Sequence, residues 1–152
     1  MGTRPQLSAG FARGGSPAEG ASAYLDASAA VKLMIAEQES EALLSFLADW
    51  PLRVSSELLR VELACVCHRR GMTVTAADEL LSGMRLLPIA ADVLHGACRA
   101  FSPPQRALDA LHLAAAERAR TQIGCFVSYD SEQTAAASAL GWQVASPAPP
   151  SA

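Results

Sequence analysis

The chain has 152 residues, 51% of them apolar but only 5% aromatic, and a formal charge of −3. That length fits one domain able to bury a real core, and the alanine- and leucine-rich, aromatic-poor composition favours helices around a modest sheet over an all-β fold. No apolar run is long enough to span a bilayer, and the acidic balance argues against a strongly electrostatic, non-specific nucleic-acid binder.

Met1 to Ser22 is rich in Gly, Ser, Pro and Ala and shows no periodicity. It reads as a flexible tail or as residues from an upstream start codon, without the pattern of a targeting signal, and lies outside the fold. Ala23 to Leu25 then reads as a short buried strand ending in Asp26, and Ala29 to Ala36 as a helix with Ser28 as its N-cap. A strand handing directly to a helix is half of a βαβ unit, and parallel sheets bind ligands beyond the carboxyl ends of their strands. Asp26 stands at that edge, although an Asp at a turn also has an ordinary explanation.

Ser40 to Asp49 is a second helix, with Leu43, Leu44 and Leu47 on one face, stopped by Trp50-Pro51. Leu52 to Val54 is a short strand. Ser55 or Ser56 caps the next helix, which runs to Arg70 and closes at Gly71. Glu62 on that helix has Leu58, Leu59, Cys65 and Val66 one turn away on either side, so its side chain follows the inward stripe. An isolated buried carboxylate needs a cation, a metal or a proton as partner. Glu57, by contrast, is explained by the helix dipole.

Thr75 to Arg85 reads as a helix with a capping box of Thr75 and Asp78, and Leu86 to Ile89 as a short edge strand containing Pro88. Asp92 to Phe101 is helical, and Ser102-Pro103-Pro104 breaks the chain. The helix from Arg106 to about Arg120 carries Asp109 in its first turn with apolar neighbours downstream, a second inward carboxylate. Gly124 to Ser128 is a compact strand, followed by Tyr129-Asp130 and a helix from Ser131 to Leu140, which repeats the opening strand–Asp–helix arrangement. After Gly141, Trp142 to Val144 is a last strand. The Pro/Ala/Ser-rich end from Ser146 reads as frayed, which sets the domain at 23–147 and leaves 148–152 outside it.

Cys65, Cys67, Cys98 and Cys125 lie inside apolar patterns without disulfide-type spacing and read as reduced, buried thiols of a cytoplasmic protein. Cys65, Cys67 and His68 form one cluster without a second matching one, poor grounds for a zinc site. His112, between Leu108 and Ala115, reads as a core or interface histidine in preference to a general base. The scattered Arg53, Arg60, Arg69 and Arg70 read first as solvated surface.

Parallel strands bring their carboxyl ends to one side, so Asp26 and Asp130 share an edge that Glu62 and Asp109 can reach. Four like charges cannot sit together unpaired, and oxygen-preferring divalent cations are the usual remedy. Without these acids, 12 basic residues face 11 acidic ones, so the remaining surface is close to neutral. The chemistry implied is metal-assisted attack of water on a phosphodiester.

The set Leu25-Asp26-Ala27-Ser28, the inward Glu62 within VELACVCHRRG, LDALHLAAA from Leu108 and VSYD at Val127 to Asp130 resembles the PIN-domain ribonucleases. More closely, it is similar to the VapC-type toxins of bacterial toxin–antitoxin pairs, in order and spacing over nearly all of Tyr24 to Pro147. The resemblance implies a three-layer α/β/α fold with a short, mostly parallel central sheet, and Mg²⁺- or Mn²⁺-dependent endoribonuclease activity. It further implies that Asp26, Glu62, Asp109 and Asp130 are the catalytic, metal-binding acids. Asp26 and Asp109 would be the main direct ligands, Asp130 a direct or water-mediated one, and Glu62 a ligand to a second ion or an orienter of water. Ser28 and Ser128 match the small hydroxyl positions beside the metal. Family members usually form homodimers and are held inactive by a small antitoxin covering the site. Apart from the resemblance, Arg53, Arg60, Arg69 and Arg70 are candidates for an RNA-facing or antitoxin-facing surface, second to their reading as solvated residues. The one departure is the Met1 to Ser22 tail, since relatives begin close to the first strand. Two other readings compete. A catalytically inactive PIN-like module binding RNA or protein would be favoured by loss of any of the four acids. An aspartyl-phosphate protein using Asp26 lacks its late lysine, because the only lysine is Lys32.

Overall fold

A computed structural model describes residues 22–152. The chain alternates strands with helices: β1 (Ser22–Leu25), α1 (Ala27–Met34), α2 (Ser40–Leu47), β2 (Leu52–Ser56), α3 (Leu58–Arg70), α4 (Thr75–Ser82), β3 (Arg85–Leu87), α5 (Ala91–Ala97), α6 (Ala107–Arg118), a 3-10 turn at Arg120–Gln122, β4 (Cys125–Val127), α7 (Ser131–Ala139) and β5 (Val144–Ala145).

The strands form one sheet in the order β3-β2-β1-β4-β5. Every described pairing in it is parallel, where the sequence reading allowed some antiparallel content. Each connection therefore crosses over through helix, as parallel pairing demands. The chain moves outward from β1 to β2 and β3, then returns to the far side of β1 for β4 and β5. The strand order thus reverses between β1 and β4, where open α/β sheets place their ligands.

Ala23 to Leu25 of β1 and all of β4 are buried, and period-two alternation sends successive side chains into opposite layers. In β1, Ala23 and Leu25 face a layer that includes Ala29, Leu43, Leu47 and Trp50, while Tyr24 faces the opposite layer with Leu113, Phe126 and Ala137. In β4, Cys125 and Val127 join the first layer and Phe126 the second. A third cluster, with Ala30, Leu59, Leu63, Cys67, Ala77 and Leu81, fixes α3 and α4 to α1. Helices thus cover both faces, giving the expected three layers.

Several local expectations are corrected. Ser28 lies inside α1; the N-cap is Asp26, in extended backbone, whose carboxylate accepts from the Ala29 amide. A carboxylate is as good a cap as a hydroxyl, and here it lies two residues closer to the strand. The Thr75–Asp78 capping box does not form: Val74 is the N-cap without a side-chain bond, and α4 ends at Ser82, so Arg85 belongs to β3. Helix α5 stops at Ala97, short of Phe101. Strand β5 is Val144–Ala145, with Trp142 in the preceding turn. Cys65 and Cys98 are exposed, while Cys67 and Cys125 are buried, and all four are free thiols. Strand β1 begins at Ser22, and the rest of the predicted tail lies outside the described residues. The carboxyl-terminal end is held through Pro147, whose carbonyl accepts from the Tyr129 hydroxyl at 2.6 Å, while the Ser146 hydroxyl donates to the Ser128 carbonyl. Gly71 does end α3 in the left-handed region, at φ 65°.

Candidate active site

The parallel register aligns Leu25 with Val127, so the residues that leave β1 and β4 emerge side by side. The Asp26 amide continues the ladder by donating to the Val127 carbonyl at 3.2 Å. Its carboxylate is 2% exposed. Oδ1 accepts from the Ser28 hydroxyl at 2.7 Å and from the Ala29 amide at 3.0 Å, and Oδ2 accepts from the Ser128 hydroxyl at 2.5 Å. Burial pushes the acid above the usual carboxylate range, while the three donors, with Ser128 foremost, pull it back. The serines also stitch the two strand ends together: the Ser28 oxygen accepts from the Tyr129 amide at 2.9 Å, and the Ser128 oxygen from the Asp130 amide at 3.1 Å.

Asp130 begins α7 as Asp26 begins α1. Its Oδ1 accepts from the amides of Glu132 at 2.9 Å and Gln133 at 3.1 Å. Asp109, half-buried in the first turn of α6, is held above its ordinary range by burial and then by repulsion, chiefly from Asp130 and next from Asp26. Glu62 acts on Asp109 more weakly, so the four acids share one electrostatic neighbourhood. Among the described residues, no three acid, histidine or cysteine side chains stand close enough together to hold a metal ion as they are. The donor set itself is all carboxylate and hydroxyl oxygen, which suits a hard divalent cation such as Mg²⁺ or Mn²⁺.

Glu62 points inward, as its apolar neighbours predicted. Its Oε1 lies 2.5 Å from Nε2 of His112, and Nδ1 of that imidazole lies 2.8 Å from the Tyr24 hydroxyl. His112 is 1% exposed, so it is a core histidine, yet it links three elements. With both nitrogens engaged and buried, it is not placed to take a proton from water. Neither that bridge nor the part of Tyr24 was legible beforehand; the available signal was a phenol inside an otherwise apolar strand, whose hydroxyl requires a partner. Gln133 was missed as well. It is fully buried, and its amide nitrogen donates to the Asp109 carbonyl at 3.3 Å, joining the beginnings of α6 and α7.

Beside Glu62, α3 and Leu108 of α6 enclose an open, mainly apolar groove of about 340 Å³, with Leu58, Val61 and Val66 on its walls and Arg69 at its margin. Cys65 lines it too, while Cys67 is buried and His68 is exposed, so these three side chains do not converge and only Cys67 has the packing role expected of the cluster.

The family model described as "PIN domain" matches residues 23–138. Among curated relatives from Mycobacterium tuberculosis, Ribonuclease VapC46 is 38% identical over 128 residues, covering 84% of this chain and 98% of that protein. Ribonuclease VapC47 is 35% identical over 131 residues, covering 82% and 96%. Among solved structures, the Mycobacterium tuberculosis toxin VapC20, described as cleaving the sarcin–ricin loop, superposes with a TM-score of 0.62 at 18% identity. That match covers 75% of this chain and 94% of VapC20, and at such identity it speaks for the fold alone. A fully parallel sheet between two helical layers, a family model spanning both strand-end aspartates, and relatives at 35–38% identity over most of the chain lead to one conclusion: this chain belongs to the PIN-domain family.

Proposed function

We propose that this chain is a Mg²⁺- or Mn²⁺-dependent endoribonuclease, the toxin of a toxin–antitoxin pair, that hydrolyses RNA phosphodiester bonds. The observation that carries the reading is the seating of Asp26 and Asp130 at the reversal between β1 and β4, with Asp109 in their field. The names and full-length coverage of the VapC relatives support it. Asp26, Asp109 and Asp130 would hold the cation, and Glu62 would hold a second ion or orient water. The chemistry supplied when the cation binds is activation of water and neutralisation of charge developing on the phosphate and leaving group.

The chain's own residues prepare the site. Ser28 and Ser128 fix both oxygens of Asp26, so the carboxylate needs no reorganisation on ligand binding. The α7 amides hold Oδ1 of Asp130, leaving Oδ2 without a protein partner among the described residues. Burial of the Asp26 carboxylate lowers the local dielectric, which strengthens its attraction for a cation. The same reading includes RNA as substrate, a cognate antitoxin, a homodimer and a cytoplasmic location. No described helix is long and apolar enough to cross a membrane.

The test is cleavage of a mixed cellular RNA pool by wild type with Mg²⁺, wild type with EDTA, and Asp26→Asn. Metal-dependent cuts at a few defined sites, absent from a well-folded Asp26→Asn protein, are expected. Cuts that survive both EDTA and the substitution would overturn the assignment.

A further inference from the structure

Three elements meet behind Glu62. Tyr24 comes from the central strand, His112 from α6, and Glu62 from α3, and their polar atoms form one chain inside the core. A carboxylate offers only lone pairs, so Nε2 carries the hydrogen in the bond to Glu62, and the phenol, protonated at neutral pH, donates its own to Nδ1. The imidazole is itself held in place: the Tyr24 ring stacks on Phe126 with centroids 5.3 Å apart and meets His112 edge-on at 5.8 Å. His112 lies three residues after Asp109 on the same face of α6, so one helix presents an acid to the site and braces another acid from behind. Glu62 Oε1 is taken up by this bond, while Oε2 has no protein partner among the described residues.

We propose that His112, set by Tyr24, is a positioning residue that fixes the rotamer of Glu62, so that one carboxylate oxygen is committed to the core and the other is presented to the acidic site. The inference rests on the metal-site reading above. Outer partners that orient a ligand are worth about 10–100-fold in metal affinity. The arrangement also accounts for an inward carboxylate on a helix with no arginine or lysine bonded to it among the described residues.

The experiment measures Mn²⁺ binding to the full chain, by the electron paramagnetic resonance signal of free Mn²⁺, for wild type, His112→Leu, His112→Gln and Tyr24→Phe. Far-ultraviolet circular dichroism and melting in EDTA accompany each protein. His112→Leu is expected to weaken Mn²⁺ binding about 10–100-fold. His112→Gln, whose amide N–H replaces the donor to Glu62, recovers most of that loss. Tyr24→Phe, which removes one oxygen and keeps the stacked ring, gives a smaller loss in the same direction. In RNA cleavage the metal concentration at half-maximal rate rises, while KM for RNA at saturating metal stays put. Wild-type affinity in a folded His112→Leu protein overturns the inference, as does a Gln variant no better than Leu. Where His112→Leu does not fold, wild-type affinity in Tyr24→Phe overturns it. Wild type that neither binds Mn²⁺ nor cleaves RNA refutes the site reading itself, a result separate from equal affinities across the series.

Discussion

Asp130 serves two purposes that a pair of substitutions separates. Its carboxylate caps α7 through the Glu132 and Gln133 amides, and its charge is the chief repulsion acting on Asp109. Asp130→Ala removes both, whereas Asp130→Asn keeps an oxygen acceptor and removes only the charge. Losing such a cap costs about 1 kcal/mol, and Asn is equal to Asp in that position. In a chain of this size ~1 kcal/mol lowers Tm by about 2–4 °C. Relief of the repulsion opposes that loss only weakly, because Asp109 is half exposed and screened by water. In EDTA, Asp130→Ala should therefore melt about 2–4 °C below wild type, and Asp130→Asn level with it or slightly above. Adding Mg²⁺ to about tenfold above its Kd should stabilise wild type by roughly 1.4 kcal/mol and both variants by much less. Scanning calorimetry with and without Mg²⁺ reads all of this. Coincident melting of the Ala and Asn variants in EDTA would refute the capping argument, and an undiminished Mg²⁺ shift in Asp130→Asn would remove Asp130 from the ion site.

Further outcomes follow from the same geometry. Asp26→Asn should abolish RNA cleavage while raising apo stability, with a pH dependence of defined sign. Because burial lifts the folded-state pKa of Asp26, its favourable contribution is complete below the ordinary carboxylate value of 3.8 and is lost as pH rises through the lifted value. The Asn variant should therefore gain on wild type from acid towards neutral pH; urea titrations in EDTA showing a constant or shrinking gap would contradict the sign. Asp109→Asn should also lose cleavage and gain apo stability, though less, since Asp109 is only half-buried; retained cleavage at saturating Mg²⁺ would remove it from the site. Gly124→Ala places a Cβ 2.7 Å from Cζ3 of the Trp50 ring. Such overpacking costs roughly 1–3 kcal/mol, and an unchanged urea midpoint would show that the ring yields freely.

The sequence disclosed the βα alternation because buried parallel strands and amphipathic helices carry different periods. It disclosed the two strand-end aspartates because each falls where an apolar run stops. Boundaries were harder: Ser28 and Asp26 are both good caps two residues apart, and only the register with β4 decides between them. The capping box at Thr75 failed because local pattern says nothing about which side chain the tertiary contacts leave free. Glu62 was recognisable as an inward charge, but its partner sits 50 residues away on another helix. No spacing rule links Glu62 to His112, or His112 to a phenol 88 residues earlier. Gln133 was invisible for the same reason, as its bond to the Asp109 carbonyl exists only once two helix beginnings meet.

The bond between Ser128 and Asp26 joins residues 102 positions apart, and it brings a timetable with it. At about 5–20 residues per second, roughly 5–20 s of synthesis separate the making of Asp26 from that of Ser128. Until β4 is laid against β1, the first aspartate lacks its strongest donor, and the second has not been made. A ribosome translating this chain therefore carries an incomplete centre until β4 has been made and laid against β1, and any nuclease activity begins only after that. A chain cut short before β4 would keep helices α1 to α6 and strands β1 to β3 in sequence, yet hold no working site.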